Sequence, residues 1–255
     1  MKTQTLVAGG SIQAVDTGHA LALLDVRSGG HMALIGPARE FWRGLSTHAG
    51  DCAAAAQEAG VSAADADTLV EYFVTRGMAS PCSTPCVWPQ VTVLPPPPPS
   101  WGTEEILARF DRPPHVALGW RVLAVGALGV TLAVGAAGRR PHAFGRILRL
   151  ARLAGAMPFR ARLGTAEKAL WAVRHVARYL PVRVACLEET TAAVVVLAFI
   201  GHRATWCHGI APDPLRLHAW LMAEGEPVDP PSWLRRYTPI TFIPASGNDT
   251  IGDCE

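Results

Sequence analysis

The opening segment MKTQTLVAGG has no apolar core, so no secretory signal is expected, and the six cysteines stand at irregular intervals rather than in a disulfide framework. Together these point to cytosolic thiols. The chain also lacks a full membrane-spanning run: Val122 to Gly138 is apolar throughout but bounded by Arg121 and Arg139-Arg140, and a span needs about 20 such residues. A buried or membrane-surface helix fits that length better, which leaves peripheral membrane contact open. Carboxylates are nearly absent from Arg139 to Arg183, where arginines are frequent. The few aromatic residues there are too widely spaced to serve as stacking platforms and no zinc-finger or basic-zipper spacing accompanies it, so a solvated arginine face is expected and nucleic acid is not. Cys82 and Cys86 have no second ligand pair at a sensible spacing, and no metal is expected.

What the chain does have is length and apolar content, 255 residues of which 49% are hydrophobic, enough for two domains each with its own core. The boundary is the run Pro95 to Pro99, because consecutive prolines form an extended polyproline spacer that continues neither a helix nor a sheet interior. The expected division is residues 1–90, a linker over 91–115 and a second domain over 116–255. In the first domain, alternation in Ala20 to Val26, a turn at Ser28-Gly29-Gly30 and the run His31 to Ile35 predict an antiparallel hairpin. Pro37 starts a first helix, Cys52 to Ala59 forms a second, and Ser62 with Asp65 caps a third that carries Leu69, Tyr72 and Phe73 on one face and ends at Gly77. Strands followed by three short helices make a winged-helix-like arrangement.

The second domain reads as helical to about Leu180, with helical spacing across Ala166 to Tyr179 until Pro181 breaks it. A further helix starts at Cys186 and is apolar on nearly every face, which implies full burial. Extended segments follow: Leu217 to Met222, a turn at Glu224-Gly225-Glu226, then Pro227-Val228-Asp229, and finally Tyr237 to Ile243. The whole is an α+β layout. A thiol at the start of a buried helix meets unpaired backbone N–H groups and the positive end of the helix dipole, which favour a thiolate. His218, on the first strand after that helix, supplies a base, and Asp229 on the other arm of the hairpin can orient the imidazole. Asp213 is the competing carboxylate, but within Pro212-Asp213-Pro214 it is better placed to bond local backbone. Cysteine, histidine and aspartate over helix, strand and strand is the arrangement of the papain and transglutaminase class. Cys207-His208 is not expected to join them, because neighbours on an extended chain point to opposite faces.

The segment Pro181 to Thr190, with Cys186-Leu187 at its centre, resembles the nucleophile segment of the transglutaminase-like B proteins of lasso-peptide gene clusters. Trp206-Cys207-His208-Gly209, His218-Ala219-Trp220, the turn Gly225-Glu226-Pro227-Val228 and the tail Arg235-Arg236-Tyr237-Thr238-Pro239 are similar to its later blocks, and Thr190 stands where a serine is common. The resemblance covers about residues 166 to 243. The N-terminal layout, with Leu69 to Met78, resembles the PqqD-type leader-recognition domain that in this family is fused or separate. The resemblance implies a cysteine leader peptidase without cofactor, cutting the leader from a ribosomal lasso precursor in the cytoplasm. Cys186, His218 and Asp229 would be its triad. The freed core would pass to a separate ATP-dependent macrolactam synthetase, consistent with the lack of a phosphate-binding glycine loop here. The leader would add as a strand beside His31, Met32, Ala33, Leu34 and Ile35, with Leu69, Tyr72 and Phe73 as the other wall.

Three other functions share parts of this pattern. A thiol acyltransferase or transglutaminase would use the same thioester with an amine in place of water. A non-catalytic leader-binding adaptor would keep the fold and dispense with Cys186. A winged-helix regulator would need several phosphate contacts, whereas the first domain is acidic and its third helix offers only Arg76.

Overall fold

A computed structural model describes residues 5–83, 88–94, 115–139, 142–212, 215–229, 234 and 236–244. The chain divides into two units, Met1–Pro99 and Ser100–Glu255. The proline run Pro95 to Pro99, Cys86 and Asp213 lie outside the described residues.

In the first unit the predicted hairpin is present, with β3 (Leu21–Asp25) and β4 (His31–Leu34) paired antiparallel from Leu21 opposite Leu34 to Leu24 opposite His31. Gly29 takes the left-handed conformation that the turn requires. The helices follow at α1 (Pro37–Thr47), α2 (Cys52–Ala59) and α3 (Ala63–Thr75). Their starts are set by local chemistry: Pro37 in the first turn of α1, the Asp51 carboxylate accepting from Ala53 and Ala54, and the Ser62 hydroxyl accepting from the Asp65 amide. Four further strands were not foreseen. β1 (Thr5–Ala8) pairs with β5 (Ala79–Cys82), while β2 (Ile12–Asp16) and β6 (Val91–Val93) extend the hairpin into a sheet ordered β4-β3-β2-β6. The first domain therefore passes the expected limit at residue 90. β6 runs parallel to β2, and the Leu94 amide continues the ladder by donating to the Asp16 carbonyl.

The core of this unit is aromatic. Trp42 meets Phe73 and Trp88 edge-on at 5.0 and 4.9 Å, Phe41 lies against Phe73, and the Trp88 indole donates to the Leu6 carbonyl, which satisfies its polar edge where it is buried.

The second unit wraps α4 (Leu118–Ala136), α5 (Ala143–Ala154) and α6 (Leu163–Ala177) around α7 (Cys186–Phe199). As its composition required, α7 is buried continuously from Thr190 to Leu197. Its flank meets an antiparallel sheet ordered β11 (Glu226–Pro227), β10 (Leu215–Ala223), β9 (Thr205–Pro212) and β12 (Thr238–Ile243). A two-residue parallel pair, β7 (Phe159–Arg160) with β8 (His202–Arg203), stands apart from it. The expected hairpin over Leu217 to Asp229 is β10 and β11. The strands missed are β9, which lies between β10 and β12, and the short β7 and β8.

Candidate active site

Cys186 is the first residue of α7 and is half-buried. Ala185 precedes it in extended conformation, and the Glu188 carboxylate turns back to accept from the Ala185 amide at 3.1 Å, which fixes where the helix begins. Two other thiols differ sharply. Cys207 is wholly buried, and Cys52 is buried in the first unit, where desolvation and the nearby charges of Asp51 and Asp67 push its thiol up to about 11. Neither is placed to react; Cys186 combines partial exposure with a helix N-terminus.

One turn further along α7, the Thr190 hydroxyl donates to the Ala219 carbonyl at 3.0 Å. Thr190 is buried and follows Cys186 by four residues, so it lies on the same face of the helix, and Ala219 is the neighbour of His218. This bond sets the register of the helix that begins at Cys186 against the strand that carries His218. A second bond, from the Trp206 indole to the Thr191 hydroxyl at 3.2 Å, ties the same turn to β9.

His218 is half-buried between aromatic rings, stacked with Trp220 at 6.2 Å and tilted against Tyr237 at 5.0 Å. Trp220 is core, packing with Cys207 and Leu234. Its ring lies over Gly209, the residue paired with His218 across the β9–β10 ladder. A Cβ at Gly209 would come within 2.6 Å of both the Trp220 ring and the Thr238 carbonyl. Gly209→Ala is therefore expected to push Trp220 off the sheet, to cost about 1–3 kcal/mol of stability and to impair turnover by displacing His218. Thermal melts and kcat/KM of this variant check both, and an unchanged melt would show that the ring is not held by this contact.

Asp229 is buried and follows the end of β11, held by the Val228 amide donating to the Leu221 carbonyl at 2.9 Å. Its carboxylate accepts from Arg174 Nη1 at 2.7 Å, and Arg174 Nε donates to Glu189, in the first turn of α7, at 3.2 Å. Arg174 thus bridges Asp229 and the helix that begins at Cys186. Burial works against its charge, but the bond to Asp229 and the charges of Asp229 and Glu189 outweigh it, and the net shift of its pKa is upward. Sequence reasoning placed this residue on a solvated arginine face. That holds for Arg149, Arg152, Arg160 and Arg162, which are exposed, and fails for Arg174, whose partner is 55 residues away. The pKa of His218 is lowered: burial is the largest cause, the negative charge of Asp229 opposes it, and the positive charge of Arg174 adds to it. The imidazole is accordingly neutral near pH 7 and able to accept a proton.

His208 is buried, its ring stacked on Trp206 at 5.9 Å and edge-on to Phe144 at 5.5 Å, which makes it a packing residue. In the first unit, β4 is the edge strand of its sheet. His31, Ala33 and Ile35 are exposed there, Met32 is half-buried and Leu34 is core. On α3, Tyr72 is exposed with Arg76 over its ring at 5.3 Å, and Leu69 is half-buried. Phe73 has no exposed surface at all. It was expected as a wall for the leader, but the aromatic core takes it, and only Leu69 and Tyr72 of that trio present any surface.

Residues 127–241 match the transglutaminase-like superfamily. Comparison with curated proteins and with solved structures finds no match. A transglutaminase-like domain thus occupies the C-terminal half of the chain, and members of that superfamily are typically cysteine peptidases or acyltransferases.

Proposed function

We infer that the transglutaminase-like domain is a thiol peptidase that removes the leader of a ribosomal lasso-peptide precursor held by the first domain. The observation that carries the catalytic part is the pair of tethers at the head of α7. Thr190 to Ala219 links the helix that begins at Cys186 to the strand that carries His218, and Arg174 to Asp229 and Glu189 links the same helix to Asp229, which supports a triad of the three. The substrate is supported by the likeness of residues 181–190 and 218–228 to the lasso B proteins. The edge position of β4, with His31 and Ala33 exposed on it, Ile35 exposed just after it, and its outer edge unpaired among the described residues, is what strand addition by a leader requires.

In this reading His218 takes the thiol proton as Cys186 Sγ attacks the carbonyl at the leader–core junction, and the Cys186 backbone N–H faces the oxyanion. The tetrahedral intermediate collapses as the C–N bond breaks, with His218 returning the proton to the departing amine of the core. Water then adds to the thioester, giving its proton to His218. The thiolate leaves and recovers that proton, and the leader departs with a free carboxylate. Asp229 and Arg174 act through the imidazole and touch no substrate. The core amine is then ready for a separate ATP-dependent macrolactam synthetase, and the protein itself needs no cofactor for these steps.

Mass spectrometry of a lasso precursor incubated with the full-length protein tests this. Two fragments whose masses sum to the precursor plus one water establish hydrolysis. A leader fragment joined to an added amine would instead assign acyl transfer, and an intact precursor retained by the protein, with the synthetase present, would assign a leader-binding adaptor.

A further inference from the structure

The face of α4 that no other described residue covers is apolar from end to end. Ala124, Ala127, Leu128 and Thr131 are buried against the rest of the bundle, while Leu118, Val122, Val125 and Val130 are 73, 63, 58 and 39% exposed, with only glycine and alanine at the exposed positions between them. A helix face turned to water ordinarily carries charge. Here the charge lies in the chain beside the helix, and it is mostly positive. From residue 115 to residue 166 the chain contains eight arginines and no aspartate or glutamate. Arg139 follows α4 and is exposed, as are Arg149 and Arg152 on α5, the helix packed beside it, and Arg160 and Arg162 beyond. Exposed Phe199, at the end of α7, lies 3.7 Å from where a side chain on Gly126 would begin, and widens the apolar surface beyond a single helix.

We propose that this face of α4 docks the protein on an anionic lipid bilayer, the helix lying in the plane of the interface with its valines in the acyl boundary and the surrounding arginines at the headgroups. The helix is long and apolar enough to cross a membrane, but crossing would strip it from α5, α6 and α7, whose contacts bury its other face. Lying flat keeps that packing and covers only what is exposed. Arginines outnumber carboxylates on α4, α5 and the chain between α5 and α6, with Glu167 on α6 the first carboxylate after residue 115, and this basic excess gains from the surface potential of an anionic bilayer. This site is separate from Cys186 and stands whether or not the peptidase reading does.

Co-sedimentation of the full-length protein with vesicles decides it, comparing phosphatidylcholine alone with an equimolar mixture of phosphatidylcholine and phosphatidylglycerol. Binding is expected on the mixed vesicles only and is expected to weaken with added salt. Val122→Asp with Val125→Asp, both at exposed positions, should reduce it to background with the circular dichroism unchanged. Arg149→Gln with Arg152→Gln should weaken it by about tenfold. No binding to the mixed vesicles, or equal binding by the double aspartate variant, would overturn the proposal. So would self-association of the wild type that the aspartates abolish without any vesicle binding, which would give the face to a second copy of the chain.

Discussion

Cys186→Ala is expected to lower turnover of a precursor by about 10⁶-fold, below detection, because in a triad the nucleophile fails as a unit with its base, and among the described residues of the second unit the other thiol, Cys207, is buried. Cys207 is wholly buried, and Cys52 belongs to the other unit with a thiol held protonated at neutral pH. The fold should not register the change. Cys186 is half-buried and its helix start is fixed by Glu188 bonding the Ala185 amide, by Thr190 and by Thr191, none of which involves the sulfur. The melting temperature of Cys186→Ala should therefore match the wild type, and affinity for the leader should survive. Retained cleavage by the variant would remove Cys186 from the mechanism.

Asp229→Asn is the second large effect, expected to reduce kcat/KM by up to about 10⁴-fold, as when the carboxylate behind a triad histidine is neutralised. It also takes a charge from a buried ion pair, costing about 1–3 kcal/mol. Rates should therefore be compared well below the melting point. A titration separates an electrostatic role from a merely structural one. Burial already lowers the pKa of His218, with Asp229 pulling it up and Arg174 pushing it down. Removing the negative charge in Asp229→Asn should move the His218 transition to still lower pH. Removing the positive charge in Arg174→Gln should move it higher. The acid limb of kcat/KM, which reports the base that must be deprotonated, should follow in both directions. An NMR titration of the His218 ring gives the same quantity without turnover, and shifts of the same sign in both variants would show that these charges do not act on the imidazole as described.

The features legible in the sequence are those whose cause is local. The Ser62–Asp65 cap, Pro37 at a helix start, the turn at Gly29 and the apolar wrap of α7 are each decided within a few residues, and each is where it was expected. What was missed depends on partners distant in sequence. β6 is three residues long and is a strand because it lies beside β2, far up the chain. β9 went unread because the expected sheet was assembled from segments beyond Pro214. Phe73 and Tyr72 are adjacent and both aromatic, and only the position of Trp42 and Phe41 decides that one is core and the other surface. Arg174 looks, by spacing, like any other helical arginine; its role comes from Asp229 and Glu189 arriving on either side.

That arrangement also sets an order of arrival. A chain emerging from the ribosome presents the thiol of α7 well before His218, and Asp229 emerges 55 residues after the Arg174 that will hold it. The tether from Thr190 closes only once β10 has been made. A nascent or truncated chain that ends before β10 thus carries the Cys186 sulfur without His218 or Asp229, and the proposed reaction would have no proton acceptor there.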